Sequence, residues 1–202
     1  MIYLTSDTHF NHNNIQGPNG FVATRKHFNS VQEMNDTIIQ NWNATVQPTD
    51  KVIHAGDLSL NMRPKELFEI LKQLNGNITI IPGNHDSVSK IIKYLANNNY
   101  DYNGKPKFEF SEVGIRIKHN KKVYYITHYP LGLGDSRYKL RNFCGHIHDE
   151  ATTGANLLNI GVDSPEIPDV PFGTPILFET AVELVEEKWN KWNAENTNSR
   201  LK

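Results

Sequence analysis

The chain has 202 residues, of which 38% are apolar and 21% are charged, and these proportions exclude a disordered or fibrous protein. Lysine and arginine number 21 against 22 acidic residues, and the net charge of −1 excludes a strong long-range attraction to nucleic acid or anionic lipid. The length fits one domain, which we place at residues 1–193, followed by a polar tail at residues 194–202.

Cysteine content and the N-terminal sequence bear on the compartment. Cys144 is the single cysteine, so an intramolecular disulfide is excluded and a reducing compartment is favoured. Asp7 interrupts the N-terminus before an apolar region of signal-peptide length can develop. No later apolar run approaches the about 20 residues that span a bilayer. We therefore expect a cytoplasmic protein that is neither secreted nor membrane-spanning.

The first half of the chain alternates strand-like and helical patterns. Short β-branched runs predict strands at residues 2–5, 52–55 and 78–81. Helices with start and stop signals are predicted from about Val31 to Ala44, from Pro64 to Leu74, and from Val88 to Leu95 with Asp86 as the N-cap. This alternation predicts an α/β sheet.

The second half is richer in strands. They are predicted at residues 113–117, 123–127, 143–144 and 157–160, with a hairpin tip at His119-Asn120. A last amphipathic helix is predicted after Thr180, fraying beyond Asn193. Hairpins of this kind predict a mixed sheet or a second sheet.

Five short polar clusters each follow a strand-like run. They are Asp7-Thr8-His9, Gly56-Asp57, Gly83-Asn84-His85-Asp86, Thr127-His128 and Gly145-His146-Ile147-His148. Ligands of α/β sheets bind beyond the carboxyl ends of the strands, so clusters in these positions can converge on one crevice. The sequence therefore predicts a single site.

The residue types in these clusters suit a metal. In an extended segment residues i and i+2 point to the same side, so Asp7 with His9, and His146 with His148, can each offer two ligands. Carboxylate, imidazole and amide oxygen together favour Mn, Fe, Ni, Zn or Co over Ca or Mg. The glycines that precede three of the ligands allow a sharp turn and a close approach to an ion.

Taken in order, the clusters match the pattern D-x-H, G-D, G-N-H-[DE], H, G-H-x-H, and the sequence resembles the calcineurin-like metallophosphoesterase superfamily. The flanking segments Asp7-Thr8-His9-Phe10-Asn11-His12 and Asn41-Trp42-Asn43 resemble a small, single-domain bacterial and phage subgroup of predicted phosphoesterases. His128 follows Thr127 where the family more often has glycine.

The resemblance implies a fold, a metal centre and a mechanism. The fold would be α/β, with two packed mixed β-sheets flanked by helices in a four-layer sandwich. Two divalent transition-metal ions, with manganese as first choice, would be held by Asp7, His9, Asp57 and His148 on one side and by Asp57, Asn84, His128 and His146 on the other. A hydroxide bridging the two ions would attack phosphorus.

The resemblance also implies roles outside the metal shell. His85 would stabilise the growing charge and protonate the leaving oxygen, Asp86 would orient His85, and Asn84 would contact substrate together with His85. His12 lies in the long Asn11–Ser30 loop, a candidate lid, and either contacts substrate or supports the loop.

Basic residues offer weaker candidates for phosphate contact. A group around the His119-Asn120 tip is either a solvated turn or a phosphate contact. Another group precedes His146, and one of its members is a candidate phosphate ligand; its members are Arg137, Lys139 and Arg141.

The leading function is hydrolysis of a phosphomonoester or phosphodiester, with a small phosphoester such as a nucleotide as the partner molecule. One alternative is a non-catalytic scaffold of the same fold, as in a retromer subunit, although there the motif has degenerated. Another is a nuclease acting on oligonucleotide ends. No basic track for duplex nucleic acid is evident.

Overall fold

The computed structural model describes residues 1–60, 62–134 and 138–199, with side chains up to residue 196. Its strands and α-helices, in chain order within those ranges, are β1 Ile2–Thr5, α1 Val31–Thr45, β2 Lys51–His54, α2 Pro64–Leu71, β3 Asn77–Ile80, α3 Val88–Asn98, β4 Asp101–Tyr102, β5 Lys105–Pro106, β6 Phe108–Phe110, β7 Ile115–His119, β8 Lys122–Thr127, β9 Leu140–Cys144, β10 Leu157–Asn159, β11 Ile176–Leu177 and α4 Phe178–Ser199.

The first sheet has the strand order β11-β1-β2-β3-β6. Strands β1, β2, β3 and β6 are parallel, whereas β11 runs antiparallel to β1. In the register of this sheet Thr5 lies beside His54, and His54 lies beside Ile80. The polar clusters that follow β1, β2 and β3 therefore leave the sheet at the same edge.

The second sheet has the order β10-β9-β8-β7. Strands β8, β9 and β10 are parallel, and β7 pairs antiparallel with β8 through the predicted hairpin. Its turn residues Asn120 and Lys121 have φ of 47° and 63°, as a tight primed turn requires. Thr127 lies beside Cys144, so the clusters after β8 and β9 also share an edge. The predicted α/β fold with two mixed sheets is confirmed.

Two apolar cores follow from strand alternation, because successive side chains point to opposite faces of a sheet. In β1, Tyr3 packs in the core that lies under α1, α2 and α3, whereas Leu4 packs in the core that the two sheets share. The first core includes the fully buried Trp42, and the second is closed by Phe178 at the start of α4. The helices and both sheets are thus fixed to one another below the site.

Some element boundaries differ from the sequence expectation. Helix α2 ends at Leu71, before the predicted Asn75-Gly76 stop. The N-cap of α3 is Ser87, so the prediction that Asp86 caps this helix was wrong; the Asp86 carboxylate binds other backbone groups, described below. Helix α4 continues to Ser199, beyond the expected fraying at Asn193.

The predicted division into residues 1–193 and a tail at 194–202 stays a prediction, and residues 200–202 lie outside the described part of the chain. No helix of the described residues combines the length and the apolar character needed to cross a membrane.

Candidate metal centre

The loops that follow β1 and β2 continue the pairing of these strands. Backbone N–H groups of Asp7 and His9 donate to the carbonyls of Gly56 (2.9 Å) and Asp57 (3.0 Å). On the other sheet, the N–H of Gly145 donates to the carbonyl of His128 at 2.9 Å. Neighbouring ligand residues are therefore fixed in register by the backbone.

The sequence argument assumed that the ligand segments are extended, but the structure shows that they are not. Asp7, His9 and Asp57 have φ of 60°, 47° and 54°, and His146 and His148 have φ of 72° and 48°. Left-handed backbone costs a residue other than glycine roughly 1–2 kcal/mol, and such strain gathers at functional sites. In both the Asp7/His9 and the His146/His148 segments, alternate residues therefore turn sharply.

Two glycines permit the close approach of the loops. A Cβ added at Gly83 would collide with the backbone N and carboxylate of Asp57, and one at Gly145 would collide with Ser6 Oγ and the Asp7 carboxylate. Glycine is required at these two positions, as predicted, because a loop that follows a different strand lies directly against each of them.

The predicted ligands gather into two groups. Within each group the candidate ligand atoms all lie within 4.8 Å of one another. The first group is Asp7, His9 and His148, and the second is Asp57, His128 and His146.

Asp57 lies between the two groups. Its Oδ2 is 3.5 Å from His9 Nε2 and 3.5 Å from His128 Nε2, so one carboxylate oxygen faces a histidine of each group. Its Oδ1 accepts a hydrogen bond of 2.9 Å from the backbone N–H of His85. This contact fixes the carboxylate between the groups.

Asn84 joins the second group through its amide oxygen. Asn84 Oδ1 lies 2.9 Å from both His128 Nε2 and His146 Nδ1. Because His128 Nδ1 lies 2.9 Å from the carbonyl of Ala55, which can only accept, the neutral His128 ring has a lone pair on Nε2. The lone pairs of Asn84 Oδ1 and His128 Nε2 therefore face each other, and two such electron donors suit the binding of a cation.

The first group also fits a cation. Both ring nitrogens of His9 and Nδ1 of His148 are buried without a hydrogen-bond partner among the described residues. Burial, with the nearby Arg25 charge, lowers the pKa of His9 far below its usual value, whereas burial raises the pKa of Asp7 to about 6. A neutral imidazole beside a carboxylate that lacks compensating charge is the environment that a bound cation stabilises.

Sequence reasoning missed a buried ion pair beside the first group. Arg25 is fully buried and donates to Asp163 from Nε (3.0 Å) and Nη2 (2.5 Å), and to the carbonyls of Asp7 (2.5 Å) and Thr8 (3.1 Å). Asp163 also accepts from Thr24, and its Oδ2 lies 3.7 Å from His148 Nδ1. This pair supports the backbone of one ligand and the side chain of another.

Asp163 carried a signal in the sequence, although Arg25 did not. Asp163 follows the predicted strand at residues 157–160, as each recognised cluster follows its own strand. Burial alone would raise its pKa, but Arg25, His148 and Thr24 outweigh burial and hold the pKa well below its usual range. Asp163 is therefore a charged partner in this site.

The Asn11–Ser30 segment, predicted as a lid, packs into the protein. Ile15, Val22 and Phe28 are buried in the core under the helices. His12 is 7% exposed, and its ring centroid lies 5.4 Å from that of His9 and 6.4 Å from that of His85. The structure thus places His12 beside the first group, as the substrate-contact interpretation requires.

His85 and Asp86 occupy different positions. The His85 side chain is 36% exposed, with Nε2 4.0 Å from Asp57 Oδ2. The Asp86 carboxylate accepts from the backbone N–H groups of Gly83 (2.9 Å) and Leu58 (3.1 Å). Asp86 therefore holds together the two loops that carry Asp57 and His85, and its described hydrogen bonds do not include the His85 ring.

Arg141 is excluded as a phosphate ligand. Its guanidinium forms two 2.9 Å hydrogen bonds with Glu186 and lies over Trp189. This contact lies near the start of β9, away from His146. Arg137 lies outside the described residues.

The fold has two mixed sheets, and histidine and carboxylate side chains gather at the carboxyl ends of their strands. This arrangement agrees with the family that the sequence matches. The sequence model for calcineurin-like phosphoesterases matches residues 1–180, and the chain belongs to this family. The resemblance recognised from the five clusters is confirmed, whereas the bacterial and phage subgroup stays a prediction.

One curated relative matches part of the chain, and its name gives no activity. An uncharacterized protein from Methanocaldococcus jannaschii is 42% identical over 102 residues, which cover 50% of this chain and 55% of that protein. The chain thus spans about half the length of this curated relative.

Solved structures agree on the fold. A protein of unknown function from Aquifex aeolicus superposes with a TM-score of 0.64 at 24% identity, covering 91% of this chain and 98% of that chain. A structure described as a novel archaeal phosphodiesterase has a TM-score of 0.42 at 20% identity, covering 81% and 83%. The first similarity supports a common fold, and the second is too weak to support an argument.

Proposed function

We propose that this protein is a hydrolase that cleaves a phosphoester bond with the help of two divalent cations. The observation that carries the proposal is the position of Asp57, whose Oδ2 lies 3.5 Å from a histidine of each group. A carboxylate placed in this way can bridge two ions, as in other two-metal hydrolases.

Each cation would have a mixed oxygen and nitrogen donor set. One set is Asp7, His9, Asp57 and His148, and the other is Asp57, Asn84, His128 and His146. We propose manganese first among the transition metals that suit these donors. When bound, the cations would activate a water for attack near neutral pH and withdraw charge from the phosphoryl oxygens.

The residues around the centre would act on the substrate. His85 is exposed at the mouth of the site and held by its backbone N–H to Asp57, so its ring can contact the phosphoryl group and donate a proton to the leaving oxygen. Asp86 fixes the loop that carries His85. Burial lowers the pKa of His12, and a neutral His12 ring can donate a hydrogen bond to substrate.

The proposed substrate is a small phosphomonoester or phosphodiester, including a nucleotide. The scaffold alternative predicts a degenerate ligand set, whereas here every ligand position of the family pattern is filled and the ligands converge. The proposed compartment is the cytoplasm, supported by the single cysteine, Cys144, since one cysteine cannot form an intramolecular disulfide.

A panel of phosphoesters tests the proposal. Protein loaded with Mn²⁺ is assayed on p-nitrophenyl mono- and diesters, cyclic nucleotides, dinucleotides and oligonucleotides, with and without a chelator. We expect chelator-sensitive hydrolysis of at least one class, lost in Asp57→Asn and kept in the control Asp36→Asn, an exposed carboxylate on α1. Tight binding of metal without hydrolysis of any ester would overturn the proposal and favour the scaffold.

A further inference from the structure

An exposed aromatic ring lies beside the first ligand group. Phe21 is 63% exposed, and its ring centroid lies 5.7 Å from that of His12 and 6.3 Å from that of His148. The chain on both sides of Phe21 is anchored: Gly20 N–H donates to the Gly17 carbonyl, and the next residue, Val22, is buried. A single exposed apolar side chain is ordinary on a protein surface, but here an anchored loop presents the ring beside the site.

A second exposed ring lies beside the other group. Tyr129 is 50% exposed, and its ring centroid lies 4.7 Å from that of His146 and 5.0 Å from that of His128. Its backbone is also anchored, because Thr127 Oγ1 donates to the Tyr129 carbonyl at 2.6 Å and Leu131 N–H donates to Asn142 at 2.9 Å. Each ligand group is thus flanked by one presented aromatic ring.

The charge beside Phe21 restricts what can bind there. Phe21 and the His146–Glu150 segment line a surface groove that opens from the site. Asp149 and Glu150 are exposed in this groove, so a second phosphate would meet two carboxylates, whereas an uncharged ring would not. Base amino groups can also donate to these carboxylates. The groove therefore suits a flat, uncharged group that carries hydrogen-bond donors.

From this arrangement we infer that the substrate is a phosphodiester that joins two nucleosides, with one base stacked on Phe21 and the other on Tyr129. The inference rests on the proposed function, because the phosphorus would lie over Asp57 between the two groups. Bases stack on aromatic side chains with little dependence on sequence. Phe21 and Tyr129 would therefore select for the presence of bases and not for their identity.

The test removes bases and side chains separately. Three esters are compared on the Mn²⁺-loaded protein: a dinucleoside phosphate, a nucleoside methyl phosphate with one base, and a ribosyl methyl phosphate with none. Each base should raise kcat/KM by roughly 5- to 150-fold, the usual contribution of one stacked base. Phe21→Ala and Tyr129→Ala should each remove the gain from one base, and Phe21→Trp should retain it.

The ester without a base is the internal reference: the gain from each base is measured as the ratio of kcat/KM to that ester within the same variant, so that a general effect of a substitution on the neighbouring metal centre cancels. Tyr100→Ala, a partly exposed tyrosine beside the start of β6, should keep both gains. If all esters are cleaved equally, or if the gains survive in Phe21→Ala and Tyr129→Ala, the inference is wrong and phosphoester hydrolysis stands. If no ester is cleaved by the wild type, in this series or in the panel above, the proposed function itself fails.

Discussion

Replacing Asp163 by asparagine would leave Arg25 as an unpaired cation in the interior. Arg25 is fully buried and Asp163 is 4% exposed, so water cannot compensate for the lost charge. Asparagine is nearly isosteric and keeps an acceptor for Thr24, and therefore the change removes charge without creating a cavity. We expect the variant to fold and to be markedly less stable.

The magnitude follows from the burial of the pair. Breaking a buried ion pair by removing one partner costs about 3–5 kcal/mol. For chains of 150–250 residues each kcal/mol lowers Tm by about 2–4 °C, so we expect a decrease of roughly 6–20 °C. The pKa of Asp163 is held below its unfolded value, so its contribution is complete above about pH 4 and is lost as the pH falls further.

Thermal unfolding in the presence of EDTA separates this effect from metal binding. The difference in Tm between wild type and Asp163→Asn should shrink as the pH falls below about 4, where the Asp163 carboxylate becomes protonated. Glu69→Gln, which removes an exposed ion pair with Lys72, should barely change Tm. A decrease for Asp163→Asn below about 3 °C, or one equal to that of Glu69→Gln, would refute a buried charged pair.

Other predictions concern the centre itself. Wild-type protein should bind about two Mn²⁺ per chain. Asp57→Asn should weaken the binding of both ions, whereas His9→Ala should chiefly weaken the binding of one. Elemental analysis after dialysis checks this, and equal losses of metal in the two variants would contradict the bridging position of Asp57. His85→Ala should retain both ions, lose about 10²–10⁴-fold in rate on alkyl esters and distinctly less on p-nitrophenyl esters, because a poor leaving group needs the proton; an equal loss on both would remove the general-acid role. In EDTA at about pH 7.5, Asp7→Asn should be more stable than wild type by on the order of 3 kcal/mol, because the folded-state pKa of about 6 makes the Asp7 carboxyl lose stability as the pH rises from about 4 through 6. Calorimetry that finds the variant no more stable would show that the burial of Asp7 is already compensated.

The ligands were predictable because of their positions in the sequence. Each predicted ligand follows a strand-like run, and parallel pairing brings the ends of β1, β2 and β3, and of β8 and β9, to common edges. The division of His146 and His148 between different groups came from the family resemblance, because spacing alone placed them together. The left-handed backbone at these residues leaves no sequence pattern, since aspartate and histidine also occupy ordinary conformations.

Other features could not be read from the sequence. Strand β11 has two residues, too few for any periodicity to appear. Arg25 and Asp163 lie far apart in sequence and meet only when the Asn11–Ser30 segment packs against the loop after β10. The end of α2 at Leu71 was missed because Leu74, buried in the same core, continued the apolar pattern beyond the helix.

The close approach at Gly145 makes the metal centre sensitive to the distance between the two sheets. Asp7 and His9 are carried by one sheet and His146 and His148 by the other, and the N–H of His146 donates to the Asp7 carboxylate across the gap, at 3.0 Å to Oδ2. The thickness of the shared core, set by side chains such as Leu4 and Phe143, therefore fixes the distance between ligands from opposite sheets. A change of volume in that core would alter cation affinity without touching a ligand, so metal affinity is a measure of how the two halves of the fold are docked.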